Sequence, residues 1–107
     1  MSTTRQTIVA KIYDRKGRLL ATGHNSYTKT HPQQARYAGL SGHPKKIYLH
    51  AEIAAIVALA RLPRSSKATT IYIQRINRQG ITRLAAPCPV CTLALQQAGI
   101  KEVRYTL

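Results

Sequence analysis

The sequence predicts one α/β domain over residues 1–107, with strands and helices in the order β-β-α-β-α-β. Two observations support this prediction. Short segments of alternating or β-branched apolar residues indicate strands, and two runs of helix-forming residues end near a proline or a glycine. Because strand–helix–strand connections cross over in one hand, we expect a mixed, partly parallel sheet of four strands with both helices on one face.

The first 24 residues predict a β-hairpin. Residues 7–13 alternate between apolar and polar side chains, which indicates a strand with one buried face. Residues 14–17 end in a glycine, which can take the positive φ that a tight turn requires. Residues 18–24 supply the second strand of the hairpin.

The remaining elements follow after a long polar segment. A helix is expected where the chain is apolar on almost every side, so this helix should be buried on more than one side. A second helix is expected between Pro87 and Gly99, since proline suits a helix start and glycine a helix end. The predicted helices span residues 49–62 and 88–98, and the predicted strands span residues 69–76 and 101–106.

Residues 25–47 form the longest connection in the chain. The segment is polar and contains two prolines and two glycines, although residues 33–40 favour a short helix. A connection of this length in so small a domain usually has a function.

The composition excludes several classes of protein. Hydrophobic residues make up 44% of the chain, which argues against disorder. No segment approaches the ~20 apolar residues that span a bilayer, and the polar first residues lack the apolar core of a secretion signal. With only two cysteines and no such signal, we expect no membrane association and a reducing, cytoplasmic location.

The charge of the chain is strongly positive. Seventeen lysine and arginine residues stand against three acidic residues, Asp14, Glu52 and Glu102, which gives a formal charge of +14 at pH 7. Such a balance favours a phosphate-bearing partner. It does not distinguish a phosphorylated small molecule from a nucleic acid.

Two short motifs indicate a metal site. His-Ala-Glu occupies residues 50–52 at the start of one predicted helix, and Pro-Cys-Pro-Val-Cys occupies residues 87–91 at the start of the other. A catalytic zinc takes three protein ligands and keeps one position open for water. His50, Cys88 and Cys91 supply one imidazole and two thiolates, so we expect them to hold one Zn²⁺ per chain.

Glu52 is the predicted catalytic residue. It lies close to the ligand His50 without having to bind the metal, and it is the only acid in an otherwise apolar helix. A buried carboxylate costs free energy unless it has a partner or a function. We expect a zinc-activated hydroxide to attack the substrate while Glu52 transfers the protons.

Each motif alone has another explanation. A Cys-x-x-Cys pair is often a redox pair, and a purely structural zinc would need a fourth ligand. The candidates for that ligand are His24, His31 and His43. The two motifs together favour a catalytic zinc, because their spacing and their placement at helix starts agree.

The chain resembles the cytidine and deoxycytidylate deaminase superfamily, which includes tRNA adenosine deaminases and guanine deaminases. The resemblance covers nearly the whole chain and rests on Ala-Thr-Gly-His-Asn at residues 21–25 together with the two motifs. It implies the three-layer fold of that family reduced to the β-β-α-β-α-β core. It also implies that Asn25 hydrogen-bonds the sugar or base of the substrate and that backbone around Ala51 and Pro87 contacts the base edge.

The chain departs from this family at its start. Family members usually carry a helix before the first strand, whereas this chain begins almost directly with the strand. One sheet face is then uncovered. Because large apolar patches seldom stay exposed on monomers, we expect a second subunit to cover that face, and hence a homo-oligomer.

The preferred function is hydrolytic deamination of cytosine in cytidine or (deoxy)cytidine monophosphate. Resemblance to the family favours cytosine over other bases. The small domain and its long connection suit a free nucleoside or nucleotide. Basic side chains of the connection are candidates for holding a phosphate, namely Lys29, Arg36, Lys45 and Lys46.

Two other functions stay open. One is deamination of cytosine or adenine in single-stranded DNA or tRNA, with bases stacked on Tyr27, Tyr37 and Tyr48 beside basic residues. The other is an inactive, zinc-stabilised module that binds nucleic acid. The intact Glu52 argues against an inactive module.

Overall fold

A computed structural model describes residues 6–43, 45, 48–63 and 67–107 of the chain. The predicted order of elements is confirmed, the helix expected inside the long connection is present, and one short strand is added. None of the helices in these ranges is long and apolar enough to cross a membrane. In chain order the elements are β1 (Thr7–Asp14), β2 (Leu19–His24), α1 (Pro32–Leu40), α2 (Ala51–Leu59), β3 (Ala68–Ile76), β4 (Thr82–Arg83), α3 (Pro89–Gln97) and β5 (Glu102–Tyr105).

The strands form one mixed sheet. Strand β1 pairs antiparallel with β2 on one side and with β3 on the other. The far edge of β3 is shared by β5, which runs parallel to it, and by the short antiparallel β4. Strands β2, β3 and β5 therefore run in the same direction. Helices α2 and α3 begin at the end of the sheet where β2 and β3 end.

The expectation of four strands is corrected by β4. Its two residues pair with Arg75 and Ile76 at the end of β3. A tight turn connects β3 to β4. The Asn77 side-chain oxygen accepts hydrogen bonds from two backbone N–H groups of this turn, and Gly80 takes a φ of +80°. A two-residue strand is too short to show an alternating pattern in the sequence.

Helices α2 and α3 pack on one face of the sheet, as predicted. Ala10 and Ile12 of β1 and Ile71 and Ile73 of β3 are fully buried on this face. They form one core with residues of the two helices, Ala51, Ala55 and Leu95. Full burial of one isoleucine side chain stabilises the fold by about 1.5–3 kcal/mol, so this face holds α2 and α3 against the sheet.

Helix α1 packs on the outer side of the other two helices. Its buried residues Tyr37 and Ala38 form a second core with α2 and α3, namely with Ile53, Val90, Cys91 and Ala94. The long connection is thereby fixed beside the start of α3.

The sheet face opposite the helices is mixed. A row across four strands carries Thr22, Lys11, Tyr72 and Arg104, all exposed. Tyr72 is one of the exposed large apolar side chains, and the half-buried Val9 lies on the same face. The expectation that a second subunit covers this face stays a prediction.

Helix α2 lies unusually close to β2 at Gly23. A Cβ atom at this position would lie 2.3 Å from the Ala51 carbonyl oxygen and 2.3 Å from the Ala55 nitrogen. Because both atoms belong to backbone, they cannot move aside as a side chain would. Glycine at position 23 thus sets the distance between α2 and the sheet.

Gly23→Ala should destabilise the fold by at least about 2 kcal/mol, because the added methyl group forces α2 away from β2. Gly39→Ala is the matched control. A Cβ at Gly39 meets no atom within 4 Å, and alanine suits a helix better, so stability should rise by about 0.4–1 kcal/mol. Urea unfolding of both variants measures the difference. Equal stability of the two variants would contradict the close packing.

Candidate active site

The N-termini of α2 and α3 meet at one end of the sheet. His50 is the N-cap of α2 with φ −83° and ψ 152°, and Cys88 is the N-cap of α3 with φ −73° and ψ 170°. Neither side chain caps its own helix. Both helices therefore begin after these residues, later than predicted, and the extended backbone directs the two side chains to a common point together with Cys91 from the first turn of α3.

The three predicted metal ligands are brought together. His50 Nδ1 lies 3.2 Å from Cys91 Sγ and 3.6 Å from Cys88 Sγ, and all three ligand atoms lie within 4.8 Å of one another. Tetrahedral zinc with ordinary bond lengths separates a nitrogen from a sulfur ligand by about 3.6 Å. The donor set and its spacing fit zinc. Within the described ranges the group has no fourth histidine, cysteine or acid, as a catalytic site with an open position requires.

The two thiols of the group have opposite pKa shifts. A hydrogen bond from Cys91, supported by His50 and opposed by burial, lowers the pKa of Cys88 to about 3. Donation of that hydrogen bond, together with burial and the nearby Glu52, raises the pKa of Cys91. The hydrogen-bonded pair therefore favours one thiolate, and both sulfurs would bind a metal as thiolates.

Glu52 lies in the first turn of α2, directly beside this group. Its side chain is buried, with only 5% of the residue exposed. Burial raises the pKa of Glu52, while its own backbone N–H, His50 and a hydrogen bond with Cys91 act in the opposite direction. A carboxyl group with a raised pKa next to a metal site suits a role in proton transfer.

The long connection fixes the backbone of His50. Gln34 of α1 is fully buried, and its side-chain oxygen accepts a hydrogen bond of 3.1 Å from the His50 N–H. The preceding Leu49 is held by hydrogen bonds with backbone groups of Ser26 and Lys29. The sequence analysis missed Gln34, because nothing in its pattern distinguishes it from the exposed neighbour Gln33.

A pocket of about 280 Å³ opens beside the metal group. Its volume lies near the lower end of the range for small-molecule sites. The wall combines two predicted metal ligands and Glu52 with residues from the ends of β1, β2 and β3. The lining residues are Ile8, Asn25, Ser26, Tyr27, Tyr48, Leu49, His50, Glu52, Arg75, Ala85, Ala86 and Cys88.

Of the predicted substrate-binding residues, only Asn25 lines this pocket. Its side chain accepts a hydrogen bond from the Ile8 N–H and donates one to the Gln6 carbonyl. Ala51 is fully buried, and its backbone N–H, in the first position of α2, has no acceptor within the helix. Pro87 lines a separate shallow groove with residues of α3. Their roles in substrate binding stay predictions.

Most of the residues predicted to bind the phosphate or to stack on bases do not line this pocket. Lys29, Arg36 and Lys45 are not among the pocket residues, and Lys46 falls outside the described residues. Tyr27 and Tyr48 line the pocket, whereas Tyr37 is buried in the core beside α3. A cation that the sequence analysis missed, Arg75, lines the pocket instead. The sequence contained one indication of this position, because Arg75 alternates onto the same buried face of β3 as Ile71 and Ile73.

A family comparison identifies this arrangement. The profile described as "Cytidine and deoxycytidylate deaminase zinc-binding region" matches residues 2–107. The chain belongs to this family. Its cofactor is one Zn²⁺, and the three side chains positioned to hold the ion are His50, Cys88 and Cys91.

Solved structures share the deaminase fold. A dCMP deaminase from the cyanophage S-TIM5 aligns with a TM-score of 0.57 and 24% identity, over 92% of this chain and 64% of its own. A mutant cytidine deaminase from Mycobacterium tuberculosis aligns with a TM-score of 0.52 and 20% identity, over 94% of this chain and 67% of its own. The chain thus spans just under two thirds of the length of the phage enzyme. A comparison with curated proteins finds no match.

We expect purified protein to contain about one zinc ion per chain, since three ligands suffice for a catalytic zinc. Cys88→Ser and Cys91→Ser should each lose most of the metal, which elemental analysis by mass spectrometry would measure. His43→Ala is the control, because His43 is exposed and lies outside the ligand group. Loss of zinc from the His43 variant, or full retention in both cysteine variants, would contradict the assignment.

Proposed function

We propose that this domain hydrolytically deaminates cytosine in cytidine or (deoxy)cytidine monophosphate. The observation that supports it most is the position of Glu52. This buried carboxyl group lines the same pocket as His50 and Cys88, within a chain of the zinc-dependent deaminase family. The family description names cytidine and deoxycytidylate, which favours cytosine over adenine or guanine.

In the proposed reaction, water adds to C4 of cytosine and the 4-amino group leaves as ammonia, giving uracil. Zinc, when bound by the three ligands, supplies a Lewis acid that activates water near neutral pH. Glu52 accepts a proton from the attacking water at a carboxylate oxygen. It donates that proton to N3 of the ring. It then takes the proton of the new 4-hydroxyl group and donates it to the amino group, so that ammonia leaves as the C4–N bond breaks and the C4 carbonyl forms.

Burial of Glu52 supports its role both as the base that accepts a proton and as the acid that donates it. In a site with little water, a carboxylate is a stronger base than in solution, and its raised pKa also lets it keep the proton until the amine leaves. The helix N-terminus and His50 oppose this shift, so the carboxyl group can exist in either form.

A second candidate, deamination within single-stranded DNA or tRNA, is favoured by the exposed rim of the pocket. Tyr27 and Tyr48 line the pocket and are 44% and 51% exposed. Exposed aromatic rings on a chain of charge +14 suit base stacking and backbone attraction. The small volume of the pocket favours a free nucleoside or nucleotide as the first choice.

The remaining parts of the proposal concern assembly and location. We expect a homo-oligomer in the cytoplasm. On the described surface, several exposed apolar side chains lie along the β4–β5 edge, which makes this edge a candidate interface beside the open sheet face. They are Ile81, Leu84, Val103 and Tyr105.

Glu52→Gln should lower deamination of cytidine and dCMP by at least about 100-fold, because glutamine cannot transfer the protons. Zinc content and the melting temperature should stay near those of the wild type. Loss of the substrate amine is followed by mass spectrometry. Glu102→Gln, which removes an exposed acid, is the control for charge.

The same assay separates the alternatives. Conversion only in a single-stranded oligonucleotide would favour the second candidate. A wild-type protein with full zinc that converts none of cytidine, dCMP, adenosine, guanine and the oligonucleotide would contradict the deaminase proposal and support the inactive binding module. Equal activity of Glu52→Gln and wild type would remove Glu52 from the mechanism.

A further inference from the structure

Arg75 places a positive charge inside the candidate active site. It lies near the end of β3, paired with Ile8 of β1, and it shares the buried face of the sheet with Ile73. It is half-buried and lines the pocket together with Asn25 and Glu52. None of the basic residues expected to bind phosphate occupies a comparable position among the described residues.

The guanidinium group is held in place by neutral partners. Its Nε–H donates to the side-chain oxygen of Gln6, and Nη1 approaches the Leu84 carbonyl oxygen at 3.4 Å. These contacts tie Arg75 to the start of β1 and to the segment before α3. They orient the planar group, yet they use only two of its five N–H donors and neutralise no charge.

No acidic side chain of the described residues forms an ion pair with Arg75. Asp14 pairs with Arg18 at 2.8 Å, and Glu102 pairs with Arg104. Glu52 lines the same pocket, but neither of the two ion pairs among the described residues joins it to Arg75. No acidic residue falls in the undescribed ranges.

A half-buried cation without a counterion is costly, and the cost is recovered when an anion enters. A guanidinium group suits phosphate best, because its parallel N–H groups match two phosphate oxygens. The pocket therefore contains the acid–base group Glu52 and two candidate metal ligands, and it also contains Arg75, whose positive charge is available to bind an anion.

We propose that Arg75 binds a phosphate group of the substrate and makes this domain specific for phosphorylated cytosine compounds. The inference rests on the proposed function, since it assigns the phosphate-binding residue of the same pocket. The phosphate is either the 5′-monophosphate of a free nucleotide or a backbone phosphodiester. Arg75 is a specificity-determining residue, and it takes no part in proton transfer.

The first test compares substrates. In Arg75→Gln, the ratio of kcat/KM for dCMP to kcat/KM for deoxycytidine should fall at least about 10-fold, chiefly through KM, because the lost contact is a binding contact. Arg75→Lys should recover part of this ratio, since it restores the charge without the paired N–H groups. An unchanged ratio in Arg75→Gln, together with unchanged binding and conversion of a single-stranded oligonucleotide, would overturn the proposal, even if both activities fell together.

Arg83→Gln is the matched control. Arg83 pairs with Arg75 in the sheet register, is exposed and does not line the pocket. It removes the same charge from the same edge of the sheet, so it reports the effect of net charge alone. An equal fall in the substrate ratio in both variants would reduce Arg75 to a general electrostatic effect and overturn the proposal.

A binding measurement separates this inference from the deaminase proposal. Calorimetry with zinc-loaded protein uses the products dUMP and deoxyuridine, which require no turnover. Wild type should bind dUMP at least about 10-fold more tightly than deoxyuridine, and Arg75→Gln should lose this preference. Such a result supports Arg75 even if no substrate is deaminated. Equal binding of dUMP and deoxyuridine by the wild type excludes a 5′-monophosphate site, and it overturns the proposal when oligonucleotide binding is also independent of Arg75.

A third arm identifies the source of the phosphate. A single-stranded oligonucleotide containing one cytosine is bound and assayed with the same variants. An Arg75-dependent preference for dCMP and dUMP assigns the residue to a 5′-monophosphate. An Arg75-dependent effect confined to the oligonucleotide supports phosphate binding but assigns it to the backbone.

Discussion

The architecture of this domain depends on bringing two helix N-termini to one end of a sheet. The candidate metal ligands are residues 50, 88 and 91, and the parallel strands β2 and β3 end at the same end of the sheet. Neither helix follows its strand directly, because α1 lies between β2 and α2, and β4 lies between β3 and α3. These two connections return the chain to the same end of the sheet, where the helix starts meet and His50 contacts Cys91. Partial positive charge at both helix ends then stabilises thiolate sulfur at the meeting point.

The close approach at Gly23 makes this convergence accurate. A helix held by ordinary side chains would stand farther from the sheet and would carry His50 away from the cysteines. Gln34 adds a second constraint from the opposite side, since it holds the backbone of His50 against α1. The ligand is therefore located by β2 on one side and by the long connection on the other.

The sequence predicted those features that depend on local chemistry. Prolines and glycines marked the second helix, alternation marked β1, and the two motifs marked the ligands and Glu52. The prediction was weaker where the outcome depends on the fold as a whole. The turn at Asn77 hides a two-residue strand, and the mixed open face follows from pairing partners that no single strand reveals.

Arg75 and Gln34 show why a site is harder to predict than its motifs. Each residue belongs to an element that was predicted, yet neither stands near a motif in the sequence. A polar residue that alternates with buried isoleucines on one strand face can indicate a site residue, and Arg75 has this pattern. Gln34 gives no such signal, because its burial results from helix packing that a nine-residue segment does not specify.

Zinc joins parts of the chain that lie far apart, because His50 and Cys91 are separated by 41 residues. A cross-link that closes a loop of this length lowers the conformational entropy of the unfolded chain. In the loop-closure account this raises the free energy of unfolding by about 4 kcal/mol. That is a large share of the stability of a domain of this size. Zinc that binds the folded chain more tightly than the unfolded chain would therefore raise the folded population as its free concentration rises.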